Sequence, residues 1–160
     1  MTEPSKPHPT VLDPASLAPR MGSGYPEPYR ALVAGREKRA LGDPLGLTHF
    51  GVNLVRLPAG SASSQRHWHS AEDEFVYILE GEAELVTDAG VRRLTPGMAA
   101  GFPAARADGH QLVNRTDRDV VYLEVGDRQA GDEIDYPDID LRLLYRGGRN
   151  FFAHKDGTPW

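Results

Sequence analysis

The stretch His67-Trp68-His69-Ser70-Ala71-Glu72-Asp73-Glu74-Phe75-Val76-Tyr77-Ile78-Leu79-Glu80-Gly81 decides how this chain is read. On an extended strand, residues two apart project to the same face, so His67 and His69 present two imidazoles side by side, a clamp for a metal ion. The pair alone is weak: with six His in 160 residues, composition yields roughly 0.2 such pairs by chance. Its company strengthens it. Glu74 opens the apolar run FVYIL five residues after His69, and a carboxylate just past the turn at residues 70–73 can fold back onto the histidine face. Farther on, Gly109-His110 begins the run HQLVN and offers a third imidazole from a different part of the chain. Three His and one Glu form an N/O ligand set that suits Fe(II), Mn(II), Ni(II), Cu(II) or Zn(II).

Outward from this segment, short strand-like runs follow one another. Residues 48–57 (THFGVNLVRL) end at Pro58-Ala59-Gly60; residues 75–79 close at Glu80-Gly81; residues 82–87 (EAELVT) end at Asp88-Ala89-Gly90. Residues 91–95, 99–102, 111–114 and 120–125 continue the pattern. A turn every 8 to 12 residues or so predicts an all-β sandwich or barrel. Residues 29–41 are the one candidate for a short helix. Seven of the 13 prolines fall before residue 30, which denies helix and central strand there. Residues 1–30 therefore read as a frayed, partly disordered leader or as an extended arm that packs on a partner subunit, with Tyr25 and Tyr29 as anchors. The acidic stretch at residues 132–140 (DEIDYPDID) reads as a solvated loop, because Tyr136-Pro137 interrupts the alternate-ligand spacing of a calcium loop. The aromatic tail FFAHKDGTPW at residues 151–160 reads as docking on the body or on a neighbouring subunit.

Composition narrows the function. There is no Cys, which excludes a disulfide framework, a thiolate metal site and a cysteine nucleophile. The net charge of −5 gives no electrostatic reason to expect nucleic acid or an anionic membrane as partner. No apolar run approaches the roughly 20 residues that span a bilayer. The polar N-terminus lacks the apolar core of a secretory signal, so a cytoplasmic location is expected.

With these motifs in place, the sequence resembles the cupin superfamily. The family's first motif is matched by Gly60, His67-Trp68-His69, Glu74 and Gly81, with the Gly60-to-His67 interval one residue longer than usual. The second is matched by Gly97, Pro103, His110 and Asn114, with two extra residues between Pro103 and His110. The resemblance spans residues 48–126. It implies a double-stranded β-helix, a jelly-roll barrel, with residues 31–160 as a single cupin domain whose extension runs over 127–160. It also implies one divalent transition metal (Fe, Mn, Ni, Zn or Cu) held by His67, His69, Glu74 and His110. Glu72 and Asp73 compete for the carboxylate role, and spacing favours Glu74. An HWHSxEDEFVYxLEGE core and a KDGTP tail are similar to a bacterial subgroup labelled sugar-phosphate isomerase-like, a label that does not by itself transmit activity. Asn53, Arg56, Tyr77, Phe102 and Asn114 are the expected pocket residues, with Arg56 suited to an anionic substrate. Two functional classes follow: a metal-dependent isomerase, lyase, decarboxylase or dioxygenase on a small polar or anionic molecule, or a non-catalytic module that binds a small ligand or metal. A homodimer is expected.

Overall fold

In the computed structural model, which describes residues 8–160, the runs rich in Val, Ile and Leu form strands. Strands β1 (Arg20–Met21), β2 (Glu37–Ala40), β3 (Phe50–Leu57), β4 (Trp68–His69), β5 (Glu74–Glu80), β6 (Ala83–Thr87) and β7 (Gly90–Leu94) make up the first half. Strands β8 (Ala99–Phe102), β9 (Gln111–Val113), β10 (Val120–Asp127), β11 (Ile134–Tyr136), β12 (Leu141–Arg146) and β13 (Arg149–Ala153) complete the chain. A six-stranded sheet runs in the order β1-β2-β3-β10-β5-β8, beside a four-stranded sheet β13-β12-β11-β4 and a three-stranded sheet β7-β6-β9. Every strand pair is antiparallel. This is the expected all-β jelly roll.

The alternation of side chains along each strand sorts the core from the surface. On β5, Val76 and Ile78 are buried, while Phe75, Tyr77 and Leu79 point the other way and are exposed. Val55 and Leu57 of β3 and Val120 and Tyr122 of β10 join the inward set. They pack on Ala83, Leu85, Leu94 and Leu112 of the three-stranded sheet. Gly81 closes β5 because nothing larger fits: its φ is +73°, and an added Cβ would meet the Asp119 carbonyl oxygen at 2.2 Å.

A second core joins the arm to the C-terminal sheet. Tyr25, Val33, Tyr136 and Leu141 are buried together, with Ile134, Leu143 and Phe152 against them. Tyr25 meets Tyr136 edge-on at 5.6 Å and Phe152 at the same distance, and Tyr29 meets Trp160. The two tyrosines thus anchor the arm on its own chain, where the sequence pointed to a partner, because β11 and β13 offer them an aromatic bed. Prolines 4 and 7 of the arm lie outside the described residues. Residues 29–41 form no α-helix. A 3-10 turn at Ala31–Val33 leads into β2, whose backbone pairs with the edge of β3 from Glu37 opposite Arg56 onward. Gly35 passes so close to the barrel that a Cβ there would lie 2.6 Å from Ser61 Oγ. The acidic stretch also differs from expectation: it contains β11 and buries Asp132 and Tyr136. Among the described residues, no helix is long and apolar enough to cross a membrane.

Candidate metal centre

Backbone pairing gathers the site. His67 and His110 face each other in an antiparallel bridge, with His67 N–H donating to His110 O (3.1 Å) and His110 N–H to His67 O (2.8 Å). His69 is held on β4 by Ile134 of β11. Glu74 enters from β5, between Phe102 of β8 and Gly126 of β10. The Nε2 atoms of His110, His69 and His67 converge on one oxygen, Glu74 Oε2, at 2.7, 3.3 and 3.5 Å. The ligand atoms of His67, His69 and Glu74 all lie within 4.8 Å of one another, and His110 joins them through its contact with Glu74.

The outer side of each ring shows whether this set fits an ion. His67 Nδ1 lies 2.9 Å from the Gln65 carbonyl oxygen, which only accepts, so it carries the proton and leaves Nε2 with a free lone pair. His69 Nδ1 donates to Asp132 Oδ2 at 2.6 Å, and its buried Nε2, though within ion-pair distance of Glu74, makes no hydrogen bond. Two bare imidazole nitrogens aimed at a carboxylate oxygen are the arrangement that a cation relieves, and carboxylate-bound histidines are a usual support for metal ligands. His110 is held differently. Its Nδ1 is buried without a partner, and Phe102 stacks on its ring at 3.7 Å and 4°. The residues fit a divalent ion with N/O preference.

Electrostatics sets the charge that an ion would meet. Burial alone would raise the Glu74 carboxyl, but the contacts from His110, His67 and His69 hold it well below the usual carboxylate range. Burial opposes charge on His69, yet Asp132 and Glu74 outweigh it and push its pKa up to about 10, so a metal ion at Nε2 takes the place of a proton there. Burial draws His110 below the usual imidazole value, toward the neutral form that ligates metals.

The four residues sit in a cavity of about 280 Å³, at the lower edge of the roughly 300–1,000 Å³ range for small-molecule pockets. Val76, Phe102, Leu112 and Tyr122 form one part of its lining, Ile134, Tyr136, Leu143 and Phe152 another. Arg20, Arg36, Lys38 and Glu124 supply its charges beyond the ligand set. Of the five pocket residues expected from sequence, only Phe102 lines this cavity. Asn53 reaches it indirectly, through a 3.1 Å hydrogen bond to Glu124. Arg56 faces outward, paired with Glu37 and Asp119, because its strand neighbours Val55 and Leu57 fill the core. Tyr77 faces outward for the same reason. Asn114 is fully buried but structural: its amide donates to Leu57 O and Arg118 O, and its carbonyl accepts from Thr116. Asp132, Arg36 and Tyr122 are the site residues that the sequence reading missed.

Known proteins are similar to this chain in sequence and fold. The Cupin domain family matches residues 53–126. A crystal structure from Silicibacter pomeroyi, described as a sugar phosphate isomerase from the cupin superfamily, is 44% identical. It covers 94% of this chain and 96% of its own, with a TM-score of 0.90. The chain belongs to the cupin superfamily. A second cupin-like structure, a sugar phosphate isomerase candidate from Acidithiobacillus ferrooxidans, is 30% identical over 78% of this cupin and 80% of its own chain (TM-score 0.71). A polyketide cyclase from Streptomyces resistomycificus, 22% identical over 74% of this chain and 79% of its own, shares the fold (TM-score 0.60). No curated protein matches the sequence significantly.

Proposed function

We propose that this cupin is a metal-dependent enzyme acting on a small, polar, anionic molecule, with one divalent transition ion held by His67, His69, Glu74 and His110. The convergence of three Nε2 atoms on Glu74 Oε2 carries the reading. A bound ion supplies Lewis acidity toward a carbonyl or hydroxyl oxygen. The chain supplies the rest. Glu124 lines the same cavity, held by Lys38 at 2.5 Å and by Asn53. It is a carboxylate outside the ligand set, able to accept a proton from a bound molecule, and it favours an enzyme over a storage or sensing module. Burial holds the Tyr122 and Tyr136 hydroxyls well above the usual phenol range, so both stay protonated and keep an O–H to donate. The names of the two more similar structures favour isomerase chemistry within this class.

The test is elemental analysis of protein reconstituted separately with Mn(II), Fe(II), Ni(II), Cu(II) and Zn(II), then freed of excess ion by gel filtration. One equivalent per chain is expected for at least one metal, and no retained metal in any sample refutes the reading. Assay of the loaded form for aldose–ketose interconversion of sugar phosphates, beside oxygen uptake, separates isomerase from dioxygenase.

We also propose a homodimer, formed by the outer face of the six-stranded sheet. The register places Phe75 and Tyr77 of β5 beside Val125 and Leu123 of β10, with Val52 and Leu54 of β3 and Ala99 of β8 on the same side. Phe75, Tyr77 and Leu79 are 42%, 38% and 39% exposed. Four strands about 4.8 Å apart and about seven residues long give an apolar patch of roughly 450 Å². That is about the apolar centre of an interface that buries about 800 Å² per partner. Its centre bears no charge, so it complements a second copy of itself. In sedimentation equilibrium, the wild type should show twice the 17.6 kDa chain mass. Tyr77→Asp should weaken association at least about tenfold, since the interface would bury an unpaired charge. A monomeric wild type at tens of micromolar overturns the proposal.

A further inference from the structure

The N-terminal part of the chain, the arm together with β2, contributes cavity-lining residues that the metal site does not use. Arg20, Arg36 and Lys38, from β1, β2 and the residue just before β2, all line the cavity. Arg36 is 6% exposed. Two of the five N–H groups of a guanidinium are spent here on the carbonyl oxygens of Ser63 (2.5 Å) and Gly22 (2.6 Å), which fixes the plane. Its Nε is buried and has no hydrogen-bond partner. Tyr122, fully buried on β10, lines the same cavity with its hydroxyl also unpartnered. Ser63 lies beside it, but that hydroxyl is engaged with Ser64 and with the Leu112 N–H. A buried donor without an acceptor loses its hydration with nothing in return. Two such donors lining one cavity, one of them cationic, point to an acceptor that comes from outside the chain.

We propose that these cavity residues form a phosphate subsite. Arg36 Nε–H and Tyr122 O–H donate to the phosphoryl oxygens of a small phosphate monoester, while Arg20 and Lys38 complete its charge. The far end of the molecule is directed to His67, His69, Glu74 and His110, a placement that rests on the metal-site reading above; the subsite itself does not. Charge selects phosphate over carboxylate. With Glu74 counted in the ligand set, three cations, Arg20, Arg36 and Lys38, share the cavity with one further carboxylate, Glu124, a surplus of two positive charges. A phosphate monoester carries about −1.5 to −2 at pH 7, whereas a carboxylate brings one. Glu124 neutralises Lys38 directly at 2.5 Å, and among the described residues Arg20 makes no ion pair. The fixed guanidinium adds a planar donor edge suited to oxyanions.

The test is titration calorimetry at pH 7 with inorganic phosphate, and with acetate as the carboxylate probe. Wild type, Tyr122→Phe and Arg36→Gln are compared, each metal-loaded and chelator-stripped, with metal content measured in parallel. Phosphate should bind wild type in both states. Its Kd should rise about tenfold or more in Arg36→Gln and several-fold in Tyr122→Phe, with metal content unchanged. Because the Tyr122 hydroxyl makes no well-formed hydrogen bond in the protein, with only Ser63 beside it, Tyr122→Phe should shift the melting temperature little, so the test stands if Arg36→Gln fails to fold. Equal phosphate affinity in Tyr122→Phe and wild type overturns the proposal. So does phosphate binding that disappears with the metal, or acetate binding as tightly as phosphate. If wild type retains no metal but still binds phosphate through Tyr122, the metal reading fails and the subsite stands.

Discussion

His69→Ala is expected to leave the purified protein with little of its metal while the barrel stays folded. His69 places a buried Nε2, free of any hydrogen bond, 3.3 Å from Glu74 Oε2, and its Nδ1 is committed to Asp132. Truncation removes one of four ligands, and the adjacent histidines cannot replace it. His67 is fixed by its bridge to His110 and by Gln65, and His110 by Phe102. Loss of an outer partner of a metal ligand typically costs 10–100-fold in affinity, so loss of the ligand itself should exceed about 100-fold. The fold survives because Asp132 keeps the Ala71 and Glu72 amides and the Ser70 hydroxyl as partners. The backbone pairing of β4 with β11 does not depend on the imidazole. Metal per chain by elemental analysis, with circular dichroism as the folding control, reads the result. Unchanged metal content in a folded variant removes His69 from the site.

Much of the barrel could be read from sequence because a half-buried antiparallel strand writes a period of two, and its turns write Gly and Pro. The expected run at 99–102 coincides with β8, that at 75–79 falls one residue short of β5 at each end, and that at 82–87 begins one residue before β6. The same period held information about the pocket. Once Glu74 faces inward, Val76 and Ile78 must follow it and Tyr77 must face away; Arg56, between Val55 and Leu57, is excluded by the same parity. What sequence hides is contact across distance. Asp132 lies 63 residues from His69, inside a run of carboxylates whose local pattern is that of a solvated loop. Only the pairing of β11 with β4 turns one of the five inward. The arm shows the same limit. Its prolines announce an extended chain, but no local signal says that Tyr25 finds Tyr136 and Phe152, or that Arg36 just beyond the arm enters the cavity.

Asp132→Asn separates orientation of the metal site from its ligands. Asp132 uses both oxygens: Oδ2 accepts the Nδ1–H of His69 at 2.6 Å, and Oδ1 accepts Ala71 N–H at 2.7 Å, Glu72 N–H at 3.2 Å and the Ser70 hydroxyl at 3.2 Å. Asparagine is isosteric but has one acceptor oxygen and one NH₂ donor. If its oxygen stays with the loop amides, the NH₂ faces His69 Nδ1, which must then accept. The proton moves to Nε2 and occupies the lone pair that would hold the ion. If the amide turns over, His69 keeps its tautomer but the loop amides face a donor. Both outcomes weaken the site, and the first is favoured because it spares two backbone bonds. The expected result is a 10–100-fold loss of metal affinity, about 1.4–2.7 kcal/mol, measured by competition with a chelator of known affinity. The loss should fall short of that in His69→Ala, since all four ligands remain. Wild-type affinity in Asp132→Asn would show that the tautomer of His69 is set by something other than this carboxylate. A loss as large as that in His69→Ala would mean that Asp132 itself binds the ion, within the neighbouring group of His69, Glu72 and Asp132 whose ligand atoms also lie within 4.8 Å of one another.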